Sequence, residues 1–198
     1  MKTEIFGHWA DETWHEVLTL LAGMLAPKFL REILEWLLPQ PDPDDVCHHV
    51  FLAARCIGEM RRREELGDVE KQVLARTKAL TRFDLRRRYE SWDEQATVIG
   101  IRIRAVEMVA MVWRETADTR TWLKARAQFD EHWAARQSAV QELARGWKDD
   151  PETLPILKAR AQSGEHTMVH QIVVQELAHG WKDDPAVQTF LKTINIES

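Results

Sequence analysis

Cysteine is scarce in this sequence: only Cys47 and Cys56 occur among 198 residues. Two thiols cannot staple a chain of this length, so a disulfide framework is excluded and a reducing compartment, the cytoplasm, is expected. Glycine (8), proline (7) and tyrosine (1) are also sparse, which argues against collagen-like, linker-rich or strand-and-turn architectures. No apolar run is long enough to cross a bilayer: the longest apolar region, Val17 to Leu38, is broken by Pro27, Lys28, Arg31, Glu32 and Glu35. The opening MKTEIFGHWADETWHE lacks the basic start and apolar stretch of a secretion signal. Nor is there a broad basic excess. The formal charge is -5, so the counterion-release term that drives general nucleic-acid affinity is missing and nucleic acid is not the expected partner.

What the sequence does have is 44% apolar and 30% charged residues, nine tryptophans and an internal repeat. Ala139 to Pro151 reads AVQELARGWKDDP and Val173 to Pro185 reads VVQELAHGWKDDP, identical at eleven of thirteen positions and offset by 34 residues. One step back, AVEMVAMVW from Ala105 aligns with AVQELARGW, and TRTWLKARAQ from Thr119 aligns with TLPILKARAQ from Thr153. An unbroken register over three copies means one structural unit per repeat, a unit that must stack on its neighbours to bury its apolar face. Each unit reads as two helices. Asp150 and Asp184, each before a proline, are expected caps of the first. Ala139, Val140, Leu143, Ala144 and Trp147, matched by Val173, Val174, Leu177, Ala178 and Trp181, form the expected stacking stripe of the second. The period assigns Trp113, Trp147 and Trp181 to the core, whereas Trp9, Trp14, Trp92 and Trp133 break it and are freer to make surface contacts.

Upstream, helices are expected over Glu12 to Leu25, Pro27 to Leu38, Asp44 to Met60, Asp68 to Phe83 and Thr97 to Trp113, giving about nine in all. Pro39 to Asp45 reads as a tight connector ending in a helix cap, and Asp84 to Glu94 as a polar one. The fold expected is therefore all-α, an α-solenoid of helical hairpins, with an irregular helical region over 1–96 and regular repeats over 97–198. The last unit holds a single helix, which leaves Val173, Trp181 and Phe190 without a following copy to cover them.

The two-helix unit resembles HEAT repeats, and the string AVQELARGWKDDPETLPILKARAQ is similar to the C-terminal repeats of bacterial, chiefly cyanobacterial, NACHT-domain signalling NTPases. HWADETWHEVLTLLAGML and VFLAARCIGEM are similar to the helical region after the NTPase core of that family. The resemblance implies a signal-sensing or partner-binding arm. The GxxxxGK[ST] loop that holds nucleotide phosphates is absent from this sequence, so the chain is not itself the NTPase, and its Met1 suits a separately encoded protein. HEAT units often pair an Arg early in the second helix with an acid of the inter-helix turn. Arg136 with Asp130 or Glu131 fits that role, Arg102 is its counterpart one unit earlier, and His170 and Gly164 break it one unit later.

No catalytic constellation stands out, and no catalytic, cofactor-binding or metal-binding residue is assigned. Cys47, His48, His49 and Cys56 have metal-ligand types, but positions 47, 48 and 56 of one helix face different ways, so they read as core or cap-proximal side chains. Arg61 to Arg63 and Arg86 to Arg88 are the dense basic clusters, read as solvated helix ends. Lys124, Lys158 and Lys192 with Arg126 and Arg160 form a basic ladder that acids of the GWKDDP turns can meet. The expected partner surface is a polar strip on the second helices, Gln141, Glu142 and Arg145 recurring as Gln175, Glu176 and His179. In the preceding unit the strip turns apolar at Met108 and Met111, which the helices from Glu12 to Leu38 are expected to cover, or which serve as an adaptable docking patch. The function expected is protein binding, with no cofactor and no membrane. The alternative is enzymatic, because HEAT-like arrays also serve as DNA glycosylases and bilin lyases.

Overall fold

The computed structural model describes residues 3–41, 46–84, 91–163 and 166–194. Within these the chain is all-helical, with ten α-helices and short 3-10 turns rather than about nine helices. Cα proximity divides it into two compact units, Met1–Trp113 and Arg114–Ser198. The division expected at 96/97 follows the repeat, whereas the units part after Trp113, so the first copy of the repeat stripe lies in the first unit.

The first unit holds α1 (His15–Met24), α2 (Pro27–Leu37), α3 (His48–Gly58), α4 (Asp68–Ala79) and α5 (Trp92–Val112). Proline at the first position of α2 needs no donor there, and Pro27, Leu30, Ile33, Leu34 and Leu37 then form one buried stripe at helical spacing. α3 is buried almost all round, from His49 to Ala54 and again at Cys56 and Ile57, and so is central; it packs against α1, α2, α4 and α5. Arginines close the helix ends, where the last carbonyls have no intrahelical partner. Arg63 donates to the carbonyls of Gly58 (3.0 Å) and Met60 (3.4 Å) and also to that of Val112; Arg76 donates to Leu38 and Arg31 to Glu65. Arg62 pairs with the partly exposed Glu65 at 2.8 Å, so within the first arginine cluster Arg63 is the residue that ties helix ends together. Arg86 to Arg88 lie outside the described residues, as does the cap expected at Asp44 or Asp45.

Three sequence expectations need correction here. α5 begins at Trp92 rather than Thr97, because the Ser91 hydroxyl accepts from the Glu94 N–H and Asp93 and Glu94 suit the positive end of the helix. α3 begins at His48, after Cys47 adopts a left-handed conformation with φ 61°. Trp9 is buried, its ring edge-on to His49 at 5.6 Å, instead of lying on the surface.

The second unit holds α6 (Ala117–Phe129), α7 (Trp133–Gly146), α8 (Thr153–Gln162), α9 (Thr167–Gly180) and α10 (Pro185–Ile194). α6 packs on α7 and α8 on α9; α7 then packs on α9, α6 on α8, and α9 on α10. α7 and α9 run in the same direction, since Trp133 at the start of one stacks on His166 at the start of the other, and Arg145 near one end meets Glu176 near the other. Ala139, Val140, Leu143, Val173 and Leu177 are fully buried, each large aliphatic side chain among them contributing about 1.5–3 kcal/mol. Ala178 is exposed and Val174 half-buried, so the stripe is narrower in the last copy; of the three tryptophans expected in the core, Trp113 is buried, whereas Trp147 and Trp181 are only half-buried at the helix ends.

The tryptophans that repeat are used in a repeated way. The Arg114 guanidinium lies 5.4 Å over the Trp147 ring, and one step on the Lys148 ammonium lies 5.6 Å over Trp181. Lys158 covers Phe190 at 5.5 Å. The expectation that Val173, Trp181 and Phe190 are left uncovered is therefore corrected: α10 packs on α9, and cations from the preceding helices and turns cover the two rings.

Candidate functional site

In the second unit the expected polar strip divides. Gln175 and His179 are exposed and Gln141 and Glu142 half-buried. Glu176 is buried, with 6% exposure, rather than outward-facing. The cause is the stacking of α7 on α9, which brings Arg145 over Glu176: Nη2 and Nε donate to Oε1 at 2.6 and 3.1 Å. A buried carboxylate needs such a partner, so this pair belongs to the fold as much as to the surface.

The inter-helix turn at Asp130 is built as a knot of backbone contacts. Arg136 donates to the carbonyls of Asp130 (2.6 Å) and Glu131 (3.1 Å), while the Asp130 carboxylate accepts from Arg126 and the His132 N–H, both at 3.0 Å. Arg102, the counterpart of Arg136, donates to the Phe83 carbonyl at 2.8 Å. Gly164 lies outside the described residues. The basic ladder meets the turn acids at Lys124, whose ammonium lies 2.8 Å from Asp150 and 2.6 Å from Glu152. A recurring cap escaped the sequence reading: His132 and His166, one repeat apart, each accept a helix N–H two residues on through Nδ1, at 3.2 and 3.3 Å. Histidine is not among the usual caps, and only the shared EH dipeptide of the two copies marked it.

In the first unit the two methionines part company. Met108 is buried and Met111 is 63% exposed. Met111 lines a cavity of ≈ 560 Å³ with Leu20, Arg55, Glu59 and Arg63, between α1, α3 and α5. Leu20 is itself 58% exposed, so one apolar patch remains open and Met108 drops out as a contact residue. Neither cysteine is joined in a disulfide and both are buried; burial pushes the Cys56 thiol up to about 12, which favours the protonated thiol over the nucleophilic thiolate.

The same unit gathers a cluster that the sequence reading passed over. Glu12, in the 3-10 turn before α1, His15 at the start of α1 and His48 at the start of α3 bring one potential ligand atom each within 4.8 Å of one another. The packing of α1 on α3 makes the cluster. His15 is buried and its Nε2 donates to the Trp9 carbonyl at 2.7 Å, which fixes the tautomer and leaves the other ring nitrogen with its lone pair. Burial pulls the His15 pKa below the ordinary histidine value; the Trp9 hydrogen bond and Glu12 oppose that, and His48 and Arg104 reinforce it. His48 Nδ1 is buried without a formed hydrogen bond and lies 3.4 Å from Glu12 Oε1. Arg104 approaches the same carboxylate oxygen at 3.8 Å, with its guanidinium 4.4 Å over the Phe51 ring. A cavity of ≈ 470 Å³, lined among others by Glu12, His48, Thr97, Ile101 and Arg104, opens beside the cluster.

No helix among the described residues is long and apolar enough to cross a membrane. No family model matches the chain, and no curated protein or solved structure shows significant similarity to it.

Proposed function

We propose that this chain is a non-enzymatic protein-binding module, a HEAT-like α-solenoid whose second unit carries the regular repeats. The observation that carries the reading is the cross-copy ladder of the second unit. α7 stacks on α9 and α6 on α8 at the repeat step, and a cation after each repeat tryptophan covers the tryptophan of the next copy. Such stacking leaves a continuous outer surface free to contact a partner while the core is used up by neighbouring copies. The similarity of AVQELARGWKDDPETLPILKARAQ to the repeats of NACHT-domain signalling NTPases points to a sensor or scaffold role in signal transduction, in the cytoplasm, where buried thiols stay reduced.

The partner surfaces are, in the second unit, Gln175 and His179 with the half-buried Gln141 and Glu142 and, in the first, Met111 with Leu20. Arg145 is a poor test position, because its removal leaves the buried Glu176 carboxylate unpaired. Affinity capture followed by mass spectrometry compares the wild type with Gln175→Glu plus His179→Glu, and separately with Met111→Glu, each checked for helicity. Loss of a defined partner from one folded variant is the expected result. An unchanged partner set in both variants would overturn the reading.

A further inference from the structure

We propose that Glu12, His15 and His48 bind one divalent transition-metal ion of the zinc class through two imidazoles and a carboxylate. The proposal stands apart from the protein-binding reading, since it uses other residues of the first unit. Three features of the geometry carry it. Firstly, the three ligand atoms already converge within 4.8 Å. In a tetrahedral zinc site with ligand bonds of about 2.0–2.1 Å, ligand atoms lie about 3.3 Å apart. The closing movement needed is at most about 1.5 Å, a distance small side-chain rotations cover, and Glu12 and His48 already stand 3.4 Å apart.

Secondly, the groups behind the cluster are those that orient metal ligands. A ligating histidine usually donates its other ring N–H to a carbonyl or carboxylate, as His15 does to the Trp9 carbonyl at 2.7 Å. A ligating carboxylate is commonly oriented by a neighbouring group, and Arg104 forms an ion pair with Glu12 Oε1 at 3.8 Å, close enough to orient it without a hydrogen bond. Thirdly, His48 Nδ1 is a buried polar atom without a hydrogen-bond partner. Its contact is an ion-pair approach to Glu12 Oε1 at 3.4 Å, so a water or an ion held between the two would satisfy both groups better.

The ligand set selects the metal. Two imidazoles and one carboxylate suit zinc, cobalt or iron(II), whereas magnesium and calcium need sites made wholly of oxygen. Three protein ligands leave a position open, and the cavity beside Glu12, His48 and Arg104 gives it room. Arg104 adds positive charge there, so water or a small anion completes the coordination.

The test uses the full chain stripped with a chelator and titrated with Zn²⁺ by calorimetry, with Co²⁺ absorption as a second readout and Mg²⁺ as a control. The expected result is one Zn²⁺ per chain, visible cobalt bands without a thiolate charge-transfer band, and no heat with Mg²⁺. Glu12→Gln and His48→Ala should each weaken Zn²⁺ at least tenfold at unchanged helicity, and Cys47→Ser plus Cys56→Ser should leave it intact. If His48→Ala fails to fold, the exposed Glu12→Gln carries the result. Absence of stoichiometric Zn²⁺, wild-type affinity in Glu12→Gln, equal binding of Mg²⁺, or loss in the cysteine variant each overturns the site.

Discussion

Asp150 shows how much one side chain of the repeat is asked to do. Its Oδ1 accepts the Glu152 N–H at 2.9 Å, while Lys124 and Arg120 approach the carboxylate at 2.8 and 3.1 Å and its side chain keeps only 6% of its exposure. The hydrogen bond from Lys124, the Glu152 N–H and both positive charges hold its pKa below the ordinary aspartate value against a burial that works the other way. The folded carboxyl is the stronger acid, so its contribution is complete above about pH 4 and fades as the pH falls through the folded value, where the unfolded chain no longer binds more protons. Asp150→Asn retains the capping oxygen and loses the ion pairs. Urea unfolding should find it about 0.5–1 kcal/mol less stable at pH 7, with the difference from wild type shrinking toward zero in strong acid. A difference that persisted unchanged at low pH would assign the effect to packing. The DDP pattern made this aspartate legible as a cap, because capping is local; its two cations were legible only as a ladder of basic residues, because which rung meets which acid depends on how the copies stack. The Arg145–Glu176 pair was hidden for the same reason, and Glu176 was read as outward-facing.

Helices with strong apolar periods were readable to within a few residues, as α2 and α4 were, and the miss at α5 came from polar residues that belong to a helix start rather than a connector. Histidine as a helix cap was not readable, since it depends on which ring nitrogen keeps its lone pair. His166 also stacks on Trp133, with ring centroids 4.7 Å apart and planes 5° from parallel, so two roles converge on it. Alanine and aspartate separate them. His166→Ala loses cap and stack, about 1–3 kcal/mol together, whereas His166→Asp restores the cap and should recover all but the about 0.5–1.5 kcal/mol of the aromatic contact. His132→Ala loses a cap and a looser ring contact with Trp133, centroids 5.7 Å apart, and should cost about 1–3 kcal/mol. Thermal unfolding of the three variants decides; equal loss in His166→Ala and His166→Asp would mean that the cap contributes nothing to α9.

At the scale of the molecule the repeat was the most legible feature, because a register kept over three copies needs no knowledge of contacts. The Glu12, His15 and His48 cluster was illegible for the opposite reason: positions 12 and 48 meet only through the packing of α1 on α3, which no spacing along a single helix reveals. A repeat array also makes a distinctive claim about stability, namely that each copy is held mainly by its nearest neighbours. Leu143 on α7 and Leu177 on α9 are equivalent positions, both fully buried, and truncation of either to alanine should cost about 2–5 kcal/mol. The consequences should differ in reach. α9 touches α7, α8 and α10, so Leu177→Ala should lower amide protection in those helices while α6 keeps its own. α7 touches α6, α8 and α9, so Leu143→Ala should loosen α6 as well, the helix that Leu177→Ala spares. Hydrogen exchange resolved by peptide mass reads both patterns in one experiment. If Leu177→Ala instead loosens α6 as much as α9, the second unit unfolds as one block, and the nearest-neighbour description of its repeats is wrong.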